Sequence, residues 1–203
     1  MRRDRHVGRV VLGSWTIRRP QSGGFAASPV PVEVVGDRVF RAVGVGPWRA
    51  CGLDEDGGPG AGVGARTVPS ATAQTRSRRG TTSGGTPFPC SSTPVPVDTS
   101  LRFVTIRAGG GVTCGLTAEG EAYSWGGNRY GTGGVGTTET LFVPTPVSGG
   151  LRFSELTNHC PHVCGRTTDA DVNCWGLNSG GRLGDGTTAD RSLPVRVLFP
   201  AVT

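Results

Sequence analysis

Residues 174–188 read CWGLNSGGRLGDGTT, with five glycines, one tryptophan, one asparagine and one aspartate in fifteen positions. Such a stretch can be a phosphate-cradling loop, part of a metal site, or one turn of a repeat. A phosphate loop needs Gly-Lys-Ser/Thr at fixed spacing, opening a helix whose N-terminus faces the phosphate. The chain contains no lysine, and no helical pattern follows the stretch. A matching stretch occurs earlier, at 126–138, so the repeat reading is tested first.

Residues 101–150 superpose on 151–200 without a gap. Leu101-Arg102-Phe103 falls on Leu151-Arg152-Phe153, and Cys114-Gly115 on Cys164-Gly165. Trp125-Gly126 falls on Trp175-Gly176, Asn128 on Asn178, Gly131 on Gly181 and Gly134 on Gly184. Pro144 falls on Pro194. An earlier, degraded unit shows in 28–100. SPVPVEVVGDRVF (28–40) parallels TPVPVDTSLRF (93–103), and ACGLDEDG (50–57) parallels TCGLTAEG (113–120). Its middle, 58–79, matches nothing and holds four arginines and no acid. A reading-frame slip would explain that insert, since codons for 60–67 can read Trp-Cys-Trp-Gly in another frame; the coding DNA decides it. Residues 1–27 stay unassigned, as a disordered or wrong-frame segment.

Each 50-residue unit predicts about four short strands: RFVTIRAG, VTCGLT, AYSWG and FVPTPV in the first, with a proline suiting the last to an edge. One four-stranded sheet cannot bury both faces alone. Packing successive sheets around an axis solves that, so the expected fold is an all-β, partial β-propeller of two well-formed units and one degraded unit. Trp125 and Trp175 are expected to pack between blades rather than stand out as binding anchors.

Composition agrees with strands and turns. Glycine at 35 and proline at 15 are abundant, and aromatics make up only 6%. The net charge of +6 would suggest nucleic acid, but all 21 basic residues are arginines and 13 of them lie in 1–80. The patterned half, 81–203, has 8 arginines against 9 acids. A nucleic-acid footprint belongs on the folded surface, so no nucleic-acid partner is expected. There is no long apolar run and no convincing signal peptide.

Chemistry is sparse. No Gly-x-Ser-x-Gly elbow is present, the only histidines are His6, His159 and His162, and the carboxylates Glu119, Glu121, Asp169 and Asp171 fall in predicted turns. Neither catalytic residues nor a cofactor are expected. NHCPHVC (158–164) with Cys174 offers soft ligands of the kind zinc takes. In a hairpin centred on Asp169, however, Cys164 and Cys174 oppose each other near disulfide distance. A bridge, two buried thiols and a metal site all remain open. A bridge would favour an extracellular or cell-surface location.

The units resemble the regulator-of-chromosome-condensation repeat, in its bacterial form: a small residue and Leu before an acidic-Gly turn, then Trp-Gly-x-Asn, Gly-x-Leu-Gly and Pro-Val. The last unit departs from it at Arg166, and the middle unit has Gly-Gly-Val for Gly-x-Leu-Gly. The resemblance implies a seven-bladed propeller, which three units cannot close, so the chain reads as a fragment needing further repeats. It also implies a protein-interaction scaffold with an unknown protein partner. The alternatives it offers are a guanine-nucleotide-exchange regulator of a small GTPase and an exported binder or inhibitor of a secreted enzyme.

Overall fold

The computed structural model describes residues 40–46, 50–61, 95–159 and 161–199, together with six two-residue strands near the amino terminus and in the 80–88 region. Most of 1–39 and all of 62–79 lie outside the described residues, and with them the expectations for 1–27 and for most of the insert.

Three four-stranded antiparallel sheets form in chain order. Blade 1 holds β1 (Ala42–Val45), β2 (Ala50–Leu53), β3 (Pro59–Ala61) and β4 (Val95–Pro96). Blade 2 holds β5 (Thr105–Ala108), β6 (Val112–Leu116), β7 (Ala122–Gly126) and β8 (Leu141–Pro146). Blade 3 holds β9 (Phe153–His159), β10 (His162–Thr167), β11 (Val172–Gly176) and β12 (Arg191–Arg196). In each blade the strands lie side by side in sequence order. The all-β partial propeller expected from the repeat is the observed architecture.

The insert of blade 1 is less foreign than its sequence suggests. Leu53 pairs with Pro59 as Leu116 pairs with Ala122, so β3 begins in the register of β7. Pro96 then pairs with Gly60 as Pro146 pairs with Tyr123. Among the described residues the third strand reaches Ala61, which stands at the position of Ser124 in blade 2.

The core lies between blades. In the second strands one face turns to the preceding blade and the other to the following one. Leu53 and Cys51 of blade 1 pack with Phe103, Ile106 and Trp125 of blade 2. Val112 and Leu116 of blade 2 pack with Phe153, Leu156 and Trp175 of blade 3. Each new blade therefore presents a phenylalanine–tryptophan pair, with ring centroids 5.5 Å apart in blade 2 and 5.8 Å in blade 3. The glycine after each repeat cysteine makes room for the phenylalanine. A Cβ on Gly115 would sit 2.7 Å from the Phe103 ring, and one on Gly165 would sit 2.5 Å from Phe153.

Candidate interaction surface

The antiparallel strands put two kinds of connection at opposite edges. At one edge lie the first hairpin turns and the glycine-rich loops, joined in blade 2 by a Gly127 N–H to Gly111 carbonyl bond of 2.7 Å. At the other lie the acidic turns and the links between blades, where Phe153 N–H donates to the Gly120 carbonyl at 2.8 Å.

The glycine loops are built around a buried asparagine. Asn128 accepts from Gly133 N–H at 2.6 Å and donates to the Thr137 carbonyl at 2.9 Å. Asn178 accepts from Leu183 N–H at 2.9 Å and donates to the Thr187 carbonyl at 3.1 Å. Both side chains are buried. The amide thus replaces backbone partners that an irregular loop cannot supply itself. Gly131 and Gly134 have φ of +72° and +69°, and Gly181 and Gly184 have +71° and +67°, a region that favours glycine. Gly126 and Gly176 adopt φ of +108° and +107°, where strand turns into loop. Pro144 and Pro194 sit on the outermost strands β8 and β12.

Tryptophan couples one blade to the loop of another. The Trp175 indole N–H donates to the Thr132 carbonyl at 3.0 Å, and a Cβ on Gly134 would lie 2.8 Å from that ring. Trp175 is 0% exposed and Trp125 8%. Asn158 also crosses the interface, donating to the Val112 carbonyl at 3.0 Å.

Cys164 and Cys174 face each other in register and form a disulfide. At the same place in blade 2, Cys114 lies 3.5 Å from the Ser124 hydroxyl. Among the described residues no group of three or more histidine, cysteine or acidic side chains could hold a metal ion. His159 and His162 flank the turn between β9 and β10. Burial pushes the His162 pKa below its ordinary value, and the charges of Arg182 and His159 add to that.

Two features escape a residue-by-residue reading of the sequence. The first is an ion pair in the glycine loop: Arg191 Nε lies 2.6 Å from Asp185, whose side chain is 5% exposed. Burial alone would raise the Asp185 pKa. Bonds from Arg191, Thr187 and Asn178 outweigh it and hold the carboxyl at about 2. The second is the pairing of turn carboxylates with arginines of the links and outer strands: Glu121 with Arg152 at 2.9 Å, and Asp171 with Arg196 at 2.6 Å. The 50-residue alignment could have suggested the first, because Asp185 and Arg191 stand where blade 2 has Val135 and Leu141.

The exposed tips differ from blade to blade. Blade 2 offers Arg129 over the Tyr130 ring at 5.3 Å, where blade 3 has Ser179 and Gly180. At the opposite edge Glu55, Asp56, Glu119 and Asp169 are exposed, and none makes an ion pair among the described residues. On the outer strands Phe142, Val143 and Leu193 are about half exposed, at 55%, 50% and 48%. No helix among the described residues is long and apolar enough to cross a membrane.

Comparison with known proteins bears on the same frame. The regulator of chromosome condensation (RCC1) repeat model matches residues 103–132, which run from Phe103 through Trp125 and Asn128 into the glycine loop. Among curated proteins no sequence match is found. Human WBSCR16 is similar in structure, with a TM-score of 0.65, 21% identity, and coverage of 88% of this chain and 45% of that one. Prp20p of Saccharomyces cerevisiae, in a study of its binding to Gsp1p and histones, gives a TM-score of 0.55 at 14% identity, covering 92% of this chain and 58% of that one. The yeast protein bound to Kap60 gives 0.54 at 15% identity, covering 92% and 56%. The chain thus spans about half the length of the solved structures it matches. Residues 103–132 thus match a regulator of chromosome condensation repeat, and the three-blade fold is similar to these solved structures.

Proposed function

We propose that the chain is a non-enzymatic protein-interaction scaffold whose partner is read by the loop edges of its blades. One observation carries the reading. The frame of each glycine loop is the same in blades 2 and 3, from tryptophan to asparagine to glycine, while the residues displayed on it differ. A conserved frame with variable tips is how rigid scaffolds usually carry recognition. The likeness to Prp20p, studied for binding to other proteins, supports the class of function and not the partner. A photo-crosslinking amino acid placed at Tyr130 or Glu119 is expected to trap a discrete protein in extracts of the source cell, and the adduct should vanish when Arg129 becomes Ser. Adducts only from the outer strand at Phe142, with none from either loop edge, would overturn the reading.

The Cys164–Cys174 bond favours one narrower version, an exported binder, because disulfides persist in oxidising compartments. Fractionation of the source cell tests it, and a wholly cytosolic chain with both thiols reduced excludes it. The exchange-factor alternative is separated by nucleotide release from candidate small GTPases, for which acceleration by the chain is required.

A further inference from the structure

The glycine-loop edge of blades 2 and 3 is one joined surface. The blade 2 loop is fixed to blade 3 by two bonds: Gly136 N–H donates to the Ser192 carbonyl at 2.8 Å, and Trp175 donates to the Thr132 carbonyl at 3.0 Å. The blade 3 loop is fixed to the β9–β10 turn, where Leu177 N–H donates to the Pro161 carbonyl at 3.1 Å. Turn and loops meet at Gly176. A Cβ there would lie 2.9 Å from the His162 Cα and 3.0 Å from Thr132 Cγ2.

Each loop displays one exposed arginine, but at a different place: Arg129 directly after its asparagine, and Arg182 four positions after its own. Local contacts aim both side chains. Arg129 lies over the Tyr130 ring, and Arg182 Nε donates to the Ser179 carbonyl at 2.9 Å. Neither makes an ion pair among the described residues. The turn adds His159, which is exposed, and His162, which is half-buried and feels the charges of both Arg182 and His159. The carboxylates of this edge are mostly engaged: Asp185 holds Arg191, and Asp190 accepts from Asn178 N–H at 2.7 Å. Glu139 stands apart, two residues before the outermost strand β8. The opposite edge has the reverse sign, with Glu55, Asp56, Glu119 and Asp169 exposed and without ion pairs among the described residues.

We propose that the glycine-loop edge of blades 2 and 3 binds an acidic segment of a protein partner, with Arg129 and Arg182 pairing with its carboxylates across the β9–β10 turn. The inference rests on the loop-edge reading of the function and adds the chemistry of the partner. Charge complementarity selects that partner. Two guanidinium groups without an internal carboxylate are held on a rigid frame, and each can take a carboxylate through two parallel N–H bonds. A nucleic acid fits less well. A phosphate backbone needs a continuous cationic track, and here the Glu139 and Asp190 carboxylates interrupt it. Base stacking needs an open aromatic face, and the Tyr130 ring carries Arg129.

The test is fluorescence anisotropy of a short labelled oligoglutamate peptide titrated with the whole chain. The double variant Arg129→Ser with Arg182→Thr gives each loop the residue that the other carries at that position, Ser179 and Thr132, so the frame is kept. It is expected to bind the peptide about tenfold more weakly, through the loss of two charge-assisted pairs. Arg129→Lys with Arg182→Lys keeps both charges and should stay within about threefold of the parent. An affinity that the Ser/Thr variant leaves unaltered overturns the proposal, because the peptide is then held by arginines elsewhere in the chain. So does an equal loss in the lysine variant, which would make the two arginines structural. A single-stranded DNA of the same length, losing more affinity in the Ser/Thr variant than the peptide does, overturns it in favour of a nucleic acid. The scaffold reading is decided separately, by the adducts trapped at either loop edge.

Discussion

Blades 2 and 3 build one frame and fill it differently. Both hang the glycine loop on a buried asparagine, and both turn a phenylalanine–tryptophan pair toward the preceding blade. Yet blade 2 fills its loop with Val135 and Leu141 where blade 3 uses the Asp185–Arg191 ion pair. Blade 2 sets a thiol against a hydroxyl where blade 3 has a covalent bond. The lesson is that stability belongs mainly to the shared frame, and the fillings are exchangeable within it.

The largest effect should come from the frame. Trp175→Ala removes a fully buried side chain and strands the Thr132 carbonyl. A loss of about 3–5 kcal/mol is expected, as for other buried aromatic truncations. Trp125→Ala should cost less, since Trp125 is 8% exposed. Guanidinium unfolding of the two variants decides this, and an equal or larger loss for Trp125→Ala would break the argument that the loop socket of blade 2 matters.

The disulfide comes next. It closes a span of 10 residues, for which chain entropy gives roughly 2–3 kcal/mol. The double variant Cys164→Ser with Cys174→Ser should lose about that much while keeping the blade. Alkylation of the unreduced protein followed by mass spectrometry should modify neither residue, and labelling at both would sink the bridge.

Asn128→Ala and Asn178→Ala should each cost about 1–3 kcal/mol, because both partners of a buried amide are left unsatisfied. The two losses should be similar if the frame is truly shared. Asn178 also donates to Asp185 at 3.0 Å, so any excess at blade 3 measures the filling.

Much of this was legible in the chain because a period of 50 needs no three-dimensional knowledge. Ungapped matches at Cys114/Cys164, Trp125/Trp175 and Asn128/Asn178 fix strand order and imply repeated blades. Alternation along VTCGLT and HVCGRT then assigns faces. What stayed hidden depends on chain closure. Arg191 meets Asp185 only after the loop folds back, and nothing local marks that pair. The role of Gly115 and Gly165, as space for a phenylalanine twelve positions earlier, shows only once the first two strands are in register. In blade 1 the damaged middle hid β3, because three residues of Pro-Gly-Ala carry no strand pattern and pairing with β2 decides their state.

The smallest expected effect bears most directly on interchangeable fillings. The double variant Asp185→Val with Arg191→Leu gives blade 3 the residues of blade 2. Replacing a hydrogen-bonded ion pair by apolar residues of suitable shape is often neutral, so stability near neutral pH should move by less than about 1 kcal/mol. The pH dependence should change more visibly. Asp185 titrates at about 2 in the fold against 3.8 for the free side chain. A depressed carboxyl stabilises the fold above its unfolded pKa, and that contribution fades as pH falls from 3.8 toward 2. Stability of the parent should therefore drop through that window, and the double variant should drop less. Parallel acid-unfolding curves for the two proteins would show that the ion pair carries no pH-linked stability, and would leave the shared asparagine frame as the sole support of the loop.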